Sequence, residues 1–254
     1  MFCAVLGLAI GSFLNVVVHR VPAGQSVVSP PSACPSCSSA IRPRDNVPVV
    51  SWLLLRGRCR DCQAPISARY PLVELGTSVL FVVMALRFGA DWVLPAYLYL
   101  AAVGLALALI DLDCKRLPDA LTLPSYPVAA VLLGGAALLG SDSGDYMPSL
   151  LGGVAMFALY FALAFAYPAG MGFGDVKLAG VLGMYLGWLG WGAWAVGTFL
   201  GFALGGVFGI GLILVKKGGR KTAVPFGPFM LLGVLIAVLV GPELASGYAD
   251  LTGL

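Results

Sequence analysis

Long runs of apolar residues, separated by short polar connections, dominate the chain. A helix that spans a bilayer needs about 20 mostly apolar residues, and eight stretches of this chain approach or meet that length. The pattern therefore predicts an all-α polytopic membrane protein with about eight transmembrane helices. The predicted spans are residues 1–18, 71–88, 93–111, 120–140, 149–168, 176–190, 191–215 and 224–241.

The composition separates this chain from the soluble classes of protein. Of its 254 residues, 59% are hydrophobic and 11% are charged, whereas soluble domains carry about 25% charged residues. The formal net charge is only +3. These values exclude a water-soluble enzyme, a disordered segment and a nucleic-acid-binding protein. The 34 glycines suit close packing between membrane helices, where small residues let two backbones approach.

The basic residues lie in alternate connections between the predicted spans. Fourteen of the 15 lysines and arginines lie after the first, third, fifth and seventh spans, and Arg87 is the exception. Because cytoplasmic loops carry the excess of positive charge, these connections are predicted to be cytoplasmic and both termini periplasmic. The alternation also supports the count of eight spans.

One long polar segment, residues 19–70, lies between the first and second spans. It contains two C-x-x-C pairs separated by 21 residues. Two residues between the cysteines of a pair let both sulfurs reach one tetrahedral ion, and two such pairs indicate a zinc site. We therefore predict a small cytoplasmic insert that folds around a structural zinc ion. Its predicted ligands are Cys34, Cys37, Cys59 and Cys62.

Other uses of these cysteines stay open at this point. An iron–sulfur or redox site would also use paired cysteines, whereas a cytoplasmic location disfavours stable disulfides. The chain is thus expected to have three parts: a first transmembrane helix over residues 1–18, the insert over residues 19–70, and a helical membrane core over residues 71–254.

Two aspartates lie at ends of predicted spans, where an ionisable group is costly and needs a reason. Asp111 ends the third span, and Asp175 opens the sixth. The predicted topology places both at the cytoplasmic face, where they can form a dyad that takes a proton from water and polarises a carbonyl. The single histidine, His19, offers no Ser–His or Cys–His alternative. A salt-bridge role for Asp111 is the competing interpretation.

Several neighbouring residues have simpler interpretations. Asp119 is predicted to cap the fourth span. Glu74 is either stabilised by the first turn of the second span or binds a cationic group, and Lys177 either balances charge or marks the membrane interface. The two glycines just before the second aspartate, Gly172 and Gly174, are expected to adopt unusual backbone angles and to let a substrate strand approach.

Several of these segments together resemble the bacterial prepilin peptidases, also called type IV leader peptidases. The resembling segments, in the family's order, are Gly11–Pro22, Pro30–Cys37, Arg69–Glu74, Ile110–Asp119, Met171–Leu178 and Pro225–Pro228. The resemblance implies a bacterial inner-membrane endopeptidase that removes the basic leader of prepilins and pseudopilins after a glycine, at the cytoplasmic face. It also implies S-adenosylmethionine-dependent methylation of the new N-terminal residue.

The resemblance assigns roles to residues already singled out. The family's catalytic aspartates fall on Asp111 and Asp175, and its tetracysteine insert falls on the four predicted zinc ligands. The expected partners are membrane lipid and a prepilin whose hydrophobic N-terminal helix docks between spans, with no nucleic acid.

Two other functional classes use some of the same residues. A proton-coupled membrane transporter would use the intramembrane aspartates to carry protons, and it predicts an internal repeat of spans. A membrane thiol oxidoreductase would use the C-x-x-C pairs, but it needs them on the oxidising side of the membrane. The charge pattern predicts the opposite side.

Overall fold

The computed structural model describes residues 1–140, 146–168, 171–214 and 225–252. Within these ranges, each predicted span overlaps a helix of 16 to 26 residues, and the last helix continues to Thr252, beyond the predicted end at residue 241. One further short helix lies in the insert. The helices are α1 (Phe2–Arg20), α2 (Val50–Leu54), α3 (Arg69–Phe88), α4 (Leu94–Cys114), α5 (Asp119–Gly140), α6 (Tyr146–Ala166), α7 (Phe173–Trp188), α8 (Trp191–Leu214) and α9 (Gly227–Thr252).

Six of the described helices are long and apolar enough to cross a membrane. They are α1, α3, α4, α5, α6 and the Trp191–Leu212 part of α8, while α9 contributes a shorter apolar segment, Gly227–Val240. The prediction of an all-α membrane protein with a polar insert after the first helix is therefore confirmed. The basic residues predicted to follow the seventh span, at positions 216–221, lie outside the described residues.

The helix α7 is the shortest of the eight predicted spans, with 16 residues. Every residue from Leu178 to Gly187 is buried, so this part of the helix is enclosed by protein on all sides. Its length is consistent with that position, because a helix without lipid contact need not match the thickness of the hydrocarbon core.

The chain divides into two compact units. The first unit contains Met1–Ala90 and Tyr97–Ala106, and the second contains Asp91–Ala96 and Leu107–Leu254. The three-part division expected from the sequence, with its boundaries after residues 18 and 70, stays a prediction.

In the first unit, α1 packs directly against α3. A methyl group added at Gly7 would lie 2.6 Å from the Cα atom of Ser78, and one added at Gly11 would lie 2.6 Å from the Cα atom of Glu74. Glycine at these positions therefore lets the two helix backbones touch, as in other membrane helix pairs.

In the second unit, α6 packs against α7 in the same way. A Cβ atom at Gly152 would lie 2.6 Å from the carbonyl oxygen of Gly183, and one at Gly153 would lie 2.6 Å from Cγ of Met184. Helices α5, α8 and α9 also contact α7. The surrounding helices thus fix the position of α7, and with it Asp175, within this unit.

Candidate active site and metal centre

Asp111 lies in the last turn of α4 and is buried, with 5% of its surface exposed. The helix ends directly after this turn because Lys115 adopts a left-handed conformation, with φ 51°. The backbone N–H of Lys115 donates to the carbonyl oxygen of Asp111 at 2.8 Å, which closes the helix end. The sequence thus places this carboxyl at the end of a spanning helix, as predicted from the apolar pattern.

The first residue of α9 contacts the Asp111 carboxyl directly. The backbone N–H of Gly227 donates to Oδ2 of Asp111 at 3.1 Å. A Cβ atom at position 227 would lie 2.9 Å from the same oxygen, so a larger residue would displace the carboxyl. The free amides at the start of a helix favour a negative charge, and glycine lets the carboxyl reach them.

Asp175 lies in the first turn of α7, which begins after Gly172. The backbone N–H of Gly172 donates to Oδ2 of Asp175 at 3.1 Å. Gly172 itself has φ −77° and ψ 148°, which is ordinary extended backbone, and Gly174 lies within the helix. The expectation of unusual backbone angles at these glycines is therefore wrong. Gly174 instead provides close packing, because a Cβ atom there would lie 3.1 Å from Cβ of Leu117.

Both predicted aspartates lie in the second unit. Their negative charges are close enough to interact. Each carboxyl is fixed at Oδ2 by one glycine amide, and within the described ranges neither carboxyl accepts another hydrogen bond. One oxygen of each carboxyl is therefore free to contact a water molecule or a peptide.

An ion pair lies beside Asp175. The ammonium of Lys177 donates to both carboxylate oxygens of Asp119, at 2.7 and 2.9 Å. The hydroxyl of Tyr126 donates to the backbone oxygen of Lys177 at 2.7 Å. The sequence predicts a helix cap for Asp119 and a charge-balancing or interfacial role for Lys177. The structure pairs them, and this pair joins the start of α5 to the first turns of α7.

Tyr160 of α6 is a site residue that sequence reasoning missed. Its side chain is fully buried, and its hydroxyl has no hydrogen-bond partner among the described residues. The hydroxyl is near enough to Asp175 to feel its charge, and the ring stacks on Phe202 with a centroid distance of 5.0 Å. A tyrosine within an apolar run looks like an ordinary core residue, so nothing in the sequence indicated that Tyr160 lies near Asp175.

The two C-x-x-C pairs form two copies of one turn. The backbone N–H of Cys34 donates to the oxygen of Ser39 at 3.0 Å, and that of Cys59 donates to the oxygen of Ala64 at 2.8 Å. The residue after the second cysteine has φ 60° in both copies: Ser38 and Gln63. An isolated β-bridge flanks each copy, and no longer strand occurs in the described ranges.

The geometry of the four sulfurs fits one metal ion. Their Sγ atoms all lie within 4.8 Å of one another, and those of Cys34 and Cys62 are 3.8 Å apart. Tetrahedral zinc, with Zn–S distances of about 2.3 Å, places two sulfurs roughly 3.8 Å apart. Backbone N–H groups of Cys37 and Ser36 lower the pKa of the Cys34 thiol to about 6, which favours the thiolate that a metal binds.

The insert has almost no core of its own. Between residues 19 and 70, only Ser51 and Gly57 are buried. Ion pairs support the fold around the cysteines: Arg60 binds Asp45 through two nitrogens, and the guanidinium lowers the pKa of that carboxyl. The Arg60 side chain of this pair is 42% exposed, so solvent weakens the pair, and the cysteine cluster is the main candidate for stabilising the insert.

Comparisons with known proteins cover both units. The family model described as "Bacterial Peptidase A24 N-terminal domain" matches residues 5–88, and "Type IV leader peptidase family" matches residues 98–210. No solved structure matches the chain.

Relatives named "Prepilin leader peptidase/N-methyltransferase" match nearly the whole chain. The relative from Aeromonas salmonicida is 39% identical over 274 residues, which cover 95% of this chain and 90% of the relative. The relative from Aeromonas hydrophila is 40% identical, with the same shares covered. That from Pseudomonas aeruginosa is 34% identical and covers 100% of this chain and 94% of its own length. These matches confirm the resemblance found in the sequence, and the chain belongs to the type IV leader peptidase family.

Proposed function

We propose that this protein is an intramembrane aspartyl endopeptidase that removes the basic leader of type IV prepilins and pseudopilins after a glycine, and methylates the new N-terminal residue. The observation that carries the peptidase activity is the proximity of Asp111 and Asp175, two carboxyls from separate helices, each fixed by a glycine amide. The family membership and the relatives' names support the substrate class. They disfavour the transporter and the thiol oxidoreductase.

The two carboxyls share one proton when they lie face to face. The ionised carboxyl takes a proton from water as the water oxygen attacks the scissile carbonyl, while the protonated carboxyl donates a hydrogen bond to the carbonyl oxygen. A proton then passes to the leaving amine as the peptide bond breaks. Gly172 and Gly227 hold the other carboxyl oxygens, so the reacting oxygens of Asp111 and Asp175 keep their positions.

The substrate's cleavage segment must be extended, because a helical backbone engages its own carbonyls in hydrogen bonds. The hydrophobic N-terminal helix of the prepilin docks among the membrane helices, and its basic leader stays in the cytoplasm. The positive charge of alternate connections supports this orientation, with the insert cytoplasmic and both termini periplasmic.

We assign the insert a structural zinc ion, held by Cys34, Cys37, Cys59 and Cys62. When bound, zinc would cross-link the two turns that carry these cysteines and so stabilise a segment without a core. For S-adenosylmethionine, the described residues provide no glycine-rich nucleotide-binding fingerprint of the soluble type. The relatives' names alone support its use, and we assign it no residue.

Mass spectrometry of a model prepilin tests both activities together. We expect the purified protein in detergent or nanodiscs to release the leader with cleavage after the glycine. With S-adenosylmethionine present, the mature fragment should gain the mass of one methyl group at its N-terminus. Proton flux into liposomes without cleavage would contradict the peptidase assignment and favour the transporter. Cleavage without a mass gain would contradict only the methylation.

The contact between Gly227 and Asp111 can be tested by adding one methyl group. We expect Gly227→Ala to lower kcat for prepilin cleavage by roughly tenfold and to leave KM near its original value. The added Cβ atom shifts a catalytic carboxyl by a few tenths of an ångström, and a full ångström would cost about 10²-fold. The control is Gly206→Ala in α8, where an added Cβ atom meets no other atom within 4 Å. Equal kcat values for the two variants would contradict a positioning role for the Gly227 amide.

A further inference from the structure

The short helix α2 exposes an apolar face. Val50, Leu53 and Leu54 are 50%, 61% and 79% exposed. Residues at positions i, i+3 and i+4 lie on the same side of a helix, so these three side chains form one continuous surface, which we call the apolar α2 face. A cluster of large aliphatic side chains on the outside of a polar segment marks an interaction surface.

Other residues of α2 form hydrogen bonds and packing contacts with the rest of the insert, and these contacts fix the orientation of the apolar α2 face. The hydroxyl of Ser51 donates to the backbone oxygen of Arg44 at 3.0 Å, and Nε1 of Trp52 donates to the backbone oxygen of Ile66 at 3.1 Å. The Trp52 ring also packs on Gly57, where a Cβ atom would lie 2.9 Å from it. The apolar α2 face therefore cannot turn inward without breaking these contacts.

A hydrogen bond sets the depth of α2 relative to a spanning helix of the same unit. The backbone N–H of Val49, which precedes α2, donates to Oε2 of Glu74 in α3 at 2.7 Å. Glu74 lies about 7.5 Å along the axis from Arg69, the first residue of α3, at about 1.5 Å per residue. A helix of 20 residues matches the hydrocarbon thickness of about 30 Å. The start of α3 therefore lies at the edge of the hydrocarbon core, and Glu74 holds α2 within about 7.5 Å of that edge, the depth to which interfacial helices bury their apolar faces.

Positive charge follows α2 directly along the chain. Arg56 and Arg58 follow α2 and are exposed, and neither forms an ion pair within the part of the chain that the structure describes. Arg42 and Arg60 of the same insert, in contrast, pair with aspartates. Unpaired arginines at this depth complement the phosphates of anionic lipids, whose attraction adds to the burial of apolar side chains.

We propose that the apolar α2 face, together with Arg56 and Arg58, is a lipid-binding surface that seats the insert on the anionic leaflet of the membrane that the chain spans. The aliphatic side chains enter the boundary between headgroups and acyl chains, and the two guanidinium groups bind lipid phosphates. This surface is independent of peptide cleavage, so its test does not use the cleavage activity.

Photocrosslinking in nanodiscs identifies what covers this surface. The full chain is prepared with Leu54→p-benzoylphenylalanine and placed in nanodiscs of phosphatidylglycerol and phosphatidylcholine in equal amounts. Val28, which is 86% exposed and belongs to the insert but not to α2, is substituted in the same way as the control. After irradiation, mass spectrometry should detect lipid adducts at position 54 and few at position 28. Leu53→p-benzoylphenylalanine repeats the test if the first variant does not fold.

The charge component has its own readout. Arg56→Gln and Arg58→Gln should each lower the ratio of phosphatidylglycerol to phosphatidylcholine adducts about fivefold, the effect of one basic residue near an anionic surface. An unchanged ratio in the double variant would overturn the role of the arginines. Adducts at positions 53 and 54 that form only with protein, whether with this chain or an added prepilin, would overturn the lipid-binding surface.

Discussion

Asp111→Asn and Asp175→Asn should each abolish prepilin cleavage and leave the protein folded. Asparagine has nearly the shape of aspartate, and its amide oxygen can still accept the hydrogen bond from Gly227 or Gly172. It can neither take a proton from water nor share one with a neighbouring carboxyl. We expect the cleavage rate to fall by about 10³-fold or more, within the range that positioned proton transfer contributes. Single-turnover cleavage of a model prepilin measures the rate, and circular dichroism reports the helices.

The carboxylate of Asp119 provides the matched control. Asp119→Asn removes a negative charge from the first residue of α5, which pairs with Lys177. The side chain of Asp119 is 56% exposed. Because exposed ion pairs contribute about 0–1 kcal/mol, we expect this variant to cleave within about tenfold of the original rate. If either dyad variant cleaved as fast as Asp119→Asn, the catalytic assignment would be wrong.

Loss of the metal should unfold the insert and spare the membrane helices. With only two buried residues between positions 19 and 70, we expect the insert to depend on the proposed ion, because structural zinc contributes about 10–16 kcal/mol in small zinc domains. We expect one zinc per chain. Cys34→Ser or Cys59→Ser should remove the metal and raise amide hydrogen exchange across residues 30–66, with little change in α5 to α8. Elemental analysis and hydrogen-exchange mass spectrometry measure these effects.

Two cysteines outside the cluster provide controls for this experiment. Cys3 and Cys114 are free and belong to α1 and α4, so Cys3→Ser and Cys114→Ser should keep one zinc per chain and normal exchange in the insert. A purified protein without metal whose insert exchanges as slowly as before would contradict the structural role. Reversible disulfide formation between the paired cysteines would favour the redox interpretation.

Much of the fold follows from local features of the sequence. Apolar runs determine where helices form in a membrane protein, because every backbone group in the bilayer must be satisfied within the chain. The helices accordingly lie close to the predicted spans. The two C-x-x-C pairs predicted the cysteine cluster for a similar reason, since their spacing alone brings two sulfurs of each pair to one point.

Contacts between distant segments were not predictable in the same way. The amide of Gly227 reaches Asp111 across 116 positions, and Lys177 reaches Asp119 across 58. No periodicity or spacing encodes such pairs. The helix α2 has five residues, too few for a periodic signal. The glycines before Asp175 were misinterpreted because the sequence does not distinguish a glycine needed for its backbone angles from one needed for close packing.

The enclosure of α7 has a consequence for how this protein responds to its membrane. Bilayer thickness acts on a helix through the acyl chains that touch it, by tilting or kinking the helix until its apolar length matches the hydrocarbon thickness. Since the residues from Leu178 to Gly187 are buried in protein, a thicker or thinner bilayer exerts no direct force on them. The height of Asp175 is set by neighbouring helices of its own unit, so changes in lipid chain length reach this carboxyl only through movements of those helices.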